Sequence, residues 1–400
     1  MTTSAEQMRA WRGPVILSQG YRPFFLLAAL WAVLVMGMWV LVISGALQWQ
    51  AAFEPVTWHA HALLFGYTTA VIAGFLMTAV PNWTGRFPIT GWPVAGLAAL
   101  WLTGRAVVTL PLGLPALAVA VVDLAFPVVL ALAIGREIVA GRNWRNLKVL
   151  GLLGLLILAD GLFHWQAAHE GAAAAGFGAR LGLAVLVVLI ALIGGRVVPS
   201  FTRNWLAQRR VQPLPAAADR LDDACMAITV AAAASWAALP DAAAIGGLCL
   251  LAGVANLWRL ARWQGHRTLA EPLVWVLHAS FAFVALGFFS VGAEALGLMA
   301  LGPASKHVWM AGAVGLMTLA VMSRASLGHG GYPLAAGKGV ALLYAALICA
   351  VLARVLAGFW PQLPWLLHIA AGGWILAFGG FALLFWPILA RPKLQPRRAG

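Results

Sequence analysis

The chain has 400 residues, 62% of them hydrophobic and only 10% charged, with 26 basic residues against 12 acidic ones and a formal net charge of +14. A soluble domain carries about 25% charged residues, because its surface has to be hydrated. So few ionisable groups exclude a soluble enzyme, a disordered chain and a nucleic-acid-binding domain, and the composition reads instead as a polytopic membrane protein.

Crossing a bilayer as a helix takes about 20 predominantly apolar residues. The polar N-terminal stretch, Met1 to Gly20, lacks a secretory apolar core and predicts no cleaved signal. Twelve spans are then predicted, at 23–45, 57–80, 93–110, 115–139, 146–168, 177–198, 221–240, 241–260, 270–294, 303–326, 337–359 and 363–389. The expected fold is therefore an all-α membrane helix bundle, a single integral membrane domain over residues 1–400. Its longest loop, about 199–220, carries Pro213 and Pro215 and separates two six-span halves. No P-loop or second soluble domain interrupts it.

The basic residues support the count. Taking the N-terminus as inside, every Lys and Arg falls in an inner segment or inner half-span except Arg105, Arg180, Lys306 and Arg354. That is the distribution the positive-inside rule demands, and an odd number of spans would scramble it. Both termini are expected in the cytoplasm. The lipid bilayer then accounts for the +14 charge, through topology and anionic headgroups, and no nucleic-acid partner is needed. Cys225, Cys249 and Cys349 stand far apart inside apolar runs, with no CxxC or CxxCH, so they read as small core residues rather than metal thiolates.

Ionisable groups inside spans are costly and usually functional. His59 and His61 open the second span, His164 is near the outer end of the fifth, and His307 and His368 open the tenth and twelfth. Five histidines on four helices thus share a depth near the outer face. Imidazole is a common ligand of copper and of haem iron, which makes these five the candidate metal ligands. Histidine is also an ordinary interfacial residue, hydrogen-bonded to a neighbouring helix or headgroup. In Trp58-His59-Ala60-His61 the two rings are about 200° apart on a helix and point to opposite sides, one to each flank. A frayed helix start would instead let both grip one copper.

Several neighbours join them. Asp160, one turn before His164, is placed to hold its second ring nitrogen. Arg105 and Asp123 lie in the outer halves of adjacent spans, where they either pair with each other or leave Arg105 for a haem propionate. Asp160 and Asp123, with Glu170, are the nearest proton carriers. Small residues below the histidines (Gly66 and Ala70; Ala311 and Gly315) suit a flat cofactor or plain helix packing. His278, part-way along the ninth span, and His329, in an inner loop, are candidates for a second, inner haem or else a packing hydrogen bond and a solvated side chain. The tryptophans at span ends read as interfacial anchors, although Trp58 and Trp165 stand beside histidines.

Seven ordered motifs then carry a resemblance. They are Tyr21-Arg22-Pro23-Phe24-Phe25, Trp58-His59-Ala60-His61, the run Gly74 to Gly85, Asn143-Trp144-Arg145-Asn146-Leu147, the run Gly194 to Asn204, Leu277-His278-Ala279 and the run Met317 to His329. Over nearly its whole length the chain resembles the NnrS family, multi-span bacterial proteins tied to the nitric oxide response. Where that family often has an acidic residue after the second histidine, this chain has Ala62.

The resemblance implies haem, of b type, with copper, nitric oxide as ligand, and a bacterial inner-membrane location. It leaves the ligands unassigned. Residue depth nominates His59, His61, His164, His307, His278 and Arg105 for cofactor binding and His59, His61, His164, His307 and His368 for metal. The leading expectation is an oxidoreductase-like centre that binds nitric oxide or reduces it to nitrous oxide, with electrons from membrane quinol or another donor. A non-catalytic haem sensor or sink is the second, and a transporter of haem, copper or a nitrosyl-iron species the third.

Overall fold

In the computed structural model of the protein, residues 11–86 and 88–393 are described. Arg9, Arg397 and Arg398, which contribute to the charge bias, lie outside these, as does half of the polar N-terminal stretch. Twelve long helices follow in chain order, and no strand occurs among the described residues. They are α1 (Tyr21–Ile43), α2 (Pro55–Thr84), α3 (Trp92–Thr109), α4 (Ala116–Ala140), α5 (Leu147–His169), α6 (Phe177–Gln208), α7 (Arg220–Ala238), α8 (Ala243–Ala261), α9 (Pro272–Ala295), α10 (Pro303–Gly330), α11 (Lys338–Phe359) and α12 (Trp365–Ala390). Eleven are long and apolar enough to cross a membrane. The remaining one, α3, is 18 residues long and carries Arg105 in its interior. The chain is a multi-pass membrane protein.

The predicted spans and the helices agree closely in the middle of the chain and diverge where prolines stand near a span end. The sixth span was expected to stop at 198, but α6 continues through Pro199 to Gln208. Likewise α2 continues through Pro81 until Gly85 ends it in the left-handed conformation, φ 67°. Hydropathy marks where side chains leave hydrocarbon, whereas the helix ends where backbone hydrogen bonding ends, so the polar last turns were not visible to it. Helix starts are better marked: α2, α3, α9 and α10 each begin with a proline in the first turn, where the missing N–H costs nothing. Asp219 caps α7, accepting from the N–H groups of Leu221 and Asp222. The Arg262 guanidinium bound to it holds that carboxyl below its usual range.

Two helices are not regular. In α2 the residues Ala62–Tyr67, and in α10 the residues Val308–Gly315, form wider π-type turns. Each begins directly after a histidine, His61 and His307. Such turns weaken the regular ladder and recur at functional sites. In α2 the backbone is tied off by side chains: the Trp31 indole donates to the Ala62 carbonyl (2.9 Å), Trp101 to Gly66 (3.0 Å), Thr69 to Phe65 (2.6 Å) and Thr68 to Leu64.

The chain forms two compact units. The first holds α1 to α5, the start of α6 as far as Gly182, the segment Ala325–Pro333 and the chain from Phe381 onward. Its core is aromatic, with Phe24, Phe25, Trp58, Tyr67, Trp101, Phe126 and Phe163 all buried. The Arg22 guanidinium closes the C-terminal end of α12, donating to the carbonyls of Leu389 and Arg391 at 2.7 Å each.

The second unit spans Leu183–Arg324 and Leu334–Gly380. Trp309 is fully buried in it, edge-on to Trp236 (5.1 Å) and Phe288 (4.9 Å), with its N–H on the Val284 carbonyl. Asn256 of α8 donates to Thr229 of α7 at 2.8 Å, a buried polar cross-link between two helices.

Candidate metal centre

The first unit brings four ligating side chains from three helices to one buried point. His61 is at the start of α2, Asp123 in α4, and Asp160 and His164 one turn apart in α5. Their ligand atoms all lie within 4.8 Å of one another. The order around the ring alternates nitrogen and oxygen. His61 Nε2 is 2.9 Å from Asp160 Oδ1 and 3.1 Å from Asp123 Oδ2, and His164 Nε2 is 3.0 Å from Asp123 Oδ2 and 3.8 Å from Asp160 Oδ1. No member of the ring is more than 5% exposed.

The surroundings are aromatic. The Phe53 ring, in the loop before α2, stands 5.2 Å from both imidazoles, and Phe163 is 5.3 Å from His61. Phe53 therefore covers the ring on the side of the loop, while Phe163 walls it from within α5. An apolar shell of this kind strengthens every charge interaction inside it.

Arg105 completes the group. Its guanidinium pairs with Asp123 Oδ1, leaving Oδ2 for the two histidines. Trp31 and Trp101, packed edge to face against each other, both stand beside it, with ring centroids 5.9 and 5.8 Å from Cζ. Two glycines make this approach possible. A Cβ on Gly104 would stand 2.8 Å from Asp123 Oδ1 and 3.3 Å from the Asp123 backbone, and a Cβ on Gly66 would run into the Arg105 guanidinium. Gly104→Val is accordingly expected to push α4 off α3, destabilising the protein by about 1–3 kcal/mol and loosening Asp123, as thermal unfolding and metal content would report.

Two carboxylates against one guanidinium, with both imidazoles neutral, leave the buried group with one uncompensated negative charge. An uncompensated charge away from water is costly, so the site calls for a cation, either a proton on an imidazole or a metal ion. The donor set suits the second. An ion about 2 Å from each donor keeps adjacent donors about 3 Å apart, and three of the four adjacent distances, 2.9, 3.0 and 3.1 Å, have that spacing, the fourth being 3.8 Å. Imidazole and carboxylate donors together suit a divalent transition-metal ion.

The five candidate histidines divide. His61 and His164 face each other across the ring, 5.0 Å between centroids. His59, on the other side of α2, stacks on Trp39 of α1 (4.4 Å, 24°), as the 200° spacing predicts. Because α2 is already helical from Pro55, the two rings of the His-x-His motif do not converge.

His307 and His368 belong to the second unit. Each binds back to its own helix, Nδ1 to the Pro303 carbonyl (2.7 Å) and to the Pro364 carbonyl (3.2 Å), and His368 is exposed. The Asp160 carboxylate, expected to serve His164, approaches His61 more closely. Arg105 and Asp123 form the pair that was one of their two expected states.

His278 Nε2 lies 2.7 Å from Thr202 Oγ1, which itself donates to the Val198 carbonyl at 2.9 Å. His278 thus ties α9 to α6 inside the second unit. Thr202 keeps a partner without it, so His278→Leu is expected to cost only about 1 kcal/mol and to leave metal content unchanged. His329 sits against Tyr21 in the first unit, 5.4 Å between rings. The small residues below the histidines meet side chains: Gly66 meets Arg105 and Trp31, and Gly315 meets Trp374. Trp58 is buried with its N–H on Thr109 (3.1 Å), and Trp165 is half exposed.

Sequence reasoning had no signal for Phe53 or for the π-type turn after His61. It paired Asp160 with His164 and nominated His61 and Asp123 beside them, without joining the four into one ring. No curated protein matches the chain. The family model described as NnrS protein matches residues 15–393, and the chain belongs to the NnrS family.

Proposed function

We propose that this protein serves the bacterial nitric oxide response from the inner membrane, holding copper in the His61–Asp123–Asp160–His164 ring and binding and reducing nitric oxide there. The observation that carries the reading is the ring itself, four convergent ligands buried among aromatic side chains in a membrane helix bundle. Nitric oxide is small and uncharged, so it reaches such a site through the apolar interior, with no need of an aqueous channel. The alternation of basic segments along the chain supports both termini facing the cytoplasm and the ring lying toward the outer surface.

A bound copper would supply a redox-active electron donor to nitric oxide. The residues do the rest. Arg105 fixes one oxygen of Asp123 and so turns the other toward the histidines. Asp160, hydrogen-bonded to His61 and without a guanidinium partner, is the group that would hold a proton at the centre, whereas Asp123 stays paired with Arg105. Phe53 keeps bulk water off it. The reaction that balances is 2 NO + 2 e⁻ + 2 H⁺ → N2O + H2O, with membrane quinol as the source of electrons.

A haem does not fit this ring, because both Nε2 atoms face carboxylate oxygens about one hydrogen bond away rather than an open slot. The haem implied by the family resemblance is therefore assigned to neither of these histidines. A second reading follows from the compactness of the ring, which suits one ion and one gas molecule at a time: a sink or sensor that binds nitric oxide without turnover.

The test is anaerobic. Purified protein should carry copper whose electron paramagnetic resonance spectrum changes when nitric oxide is added, and it should release nitrous oxide when a quinol is supplied. A changed spectrum without nitrous oxide selects the sink or sensor. A metal-free protein, unable to take up copper, overturns the copper reading.

A further inference from the structure

At the opposite end of the first unit from the ring, α3 and α4 enclose a groove of about 650 Å³. Its walls are apolar, including Leu97, Leu100 and Val129, and its mouth holds Arg86, Arg136 and Glu137. From Val129 to Glu137 the groove follows α4 for about 12 Å, at 1.5 Å per residue. The mouth belongs to a basic surface. Arg86 sits in the α2–α3 loop and Arg142 and Arg145 in the α4–α5 loop, whose Asn143 donates to the Trp83 carbonyl in the last turn of α2.

The hydrogen bonding at the mouth selects its ligand. Glu137 is nearly buried and both its oxygens are already engaged, Oε2 by Arg86 Nε at 2.6 Å and Oε1 by Arg136 Nε at 2.9 Å and Nη2 at 2.8 Å. Three donors already occupy that carboxylate, which leaves the mouth poor in acceptors. Donors remain instead: Arg86 spends only Nε on Glu137, and its side chain is 44% exposed. Two guanidinium groups against one carboxylate also leave the mouth with net charge +1. A cationic, donor-rich mouth above an apolar trough matches an amphiphile with an oxyanion head and a hydrocarbon tail.

We propose that this groove is a binding site for one anionic phospholipid, its phosphate on Arg86 and Arg136 and one acyl chain lying between α3 and α4. The location agrees with the bilayer geometry, since the basic end is the one at which anionic headgroups concentrate. Gly96 lines the trough with nothing within 4 Å of where its Cβ would be, so the acyl chain has room beside it.

The test uses the full chain, delipidated in detergent and examined by native mass spectrometry. It is titrated with phosphatidylglycerol, with phosphatidylcholine of the same acyl chains, and with inorganic phosphate. Phosphatidylglycerol is expected to bind at least about tenfold more tightly than phosphatidylcholine. Gly96→Trp fills the trough without touching charge and should weaken it by a similar factor. The charge-balanced variant Arg86→Gln, Arg136→Gln, Glu137→Gln should erase the preference for the anionic lipid. Equal binding of the two lipids would overturn the proposal. So would inorganic phosphate competing as well as the lipid does, or a Gly96→Trp protein that binds phosphatidylglycerol as well as the parent.

Discussion

Replacing His61 with alanine is expected to empty the buried centre, weakening metal binding by about 100-fold or more, while His59→Ala leaves it intact. The two residues are neighbours on one helix and differ only in the face they occupy. His61 Nε2 is the one nitrogen within 3.1 Å of a carboxylate oxygen from each of Asp123 and Asp160, so its loss breaks the ring at two places. His59 stacks on Trp39, and its removal costs the stacking, about 1 kcal/mol. His61→Ala also strips the two buried carboxylates of a shared donor, and a destabilisation of about 3–5 kcal/mol is expected in the metal-free protein. Metal analysis of both purified variants, beside their thermal unfolding curves, decides the matter. Equal metal content in the two would remove the centre from the ring.

Much of the architecture was readable because a bilayer imposes a length and a polarity on each helix. Eleven of the twelve helices satisfy that constraint, and α4 and α5 were placed to within a residue. The candidate site was half readable. Depth singled out His61 and His164, and adjacency of spans singled out Arg105 with Asp123. What depth cannot give is rotation. Whether His59 or His61 turns inward depends on how α2 packs against its neighbours, and that is settled by contacts such as the Trp39 stack and the Trp31 and Trp101 bonds to the π-type turn. Nor can depth join α4 and α5 to α2. The ring exists because Gly104 lets Asp123 approach α3, a contact between residues far apart in sequence. Phe53 was invisible for the same reason, a loop residue whose role depends on where the chain folds back.

The last large effect concerns Arg105, and here structure and function can be separated. Arg105→Leu leaves Asp123 ionised and buried without its counter-charge, and such half-broken pairs cost about 3–5 kcal/mol. Arg105→Lys keeps the charge but presents a single ammonium beside Trp31 and Trp101, and should recover only part of the loss, because the planar fork and its contact with the two indoles are gone. The informative variant is the double one. With Arg105→Leu and Asp123→Leu together, the group keeps the same single negative charge that it has in the parent, now on Asp160, and the surroundings are already apolar, so most of the stability should return.

Metal binding should not return, since the double variant lacks the carboxylate that bridges His61 and His164. A pair kept only for stability would allow the double variant to behave like the parent in every assay. A pair kept to orient Asp123 toward an ion predicts a stable protein that no longer holds the ion. Thermal unfolding measured beside metal content in the two single variants and the double one distinguishes these outcomes, and retention of the metal in the double variant would refute the role assigned to Asp123.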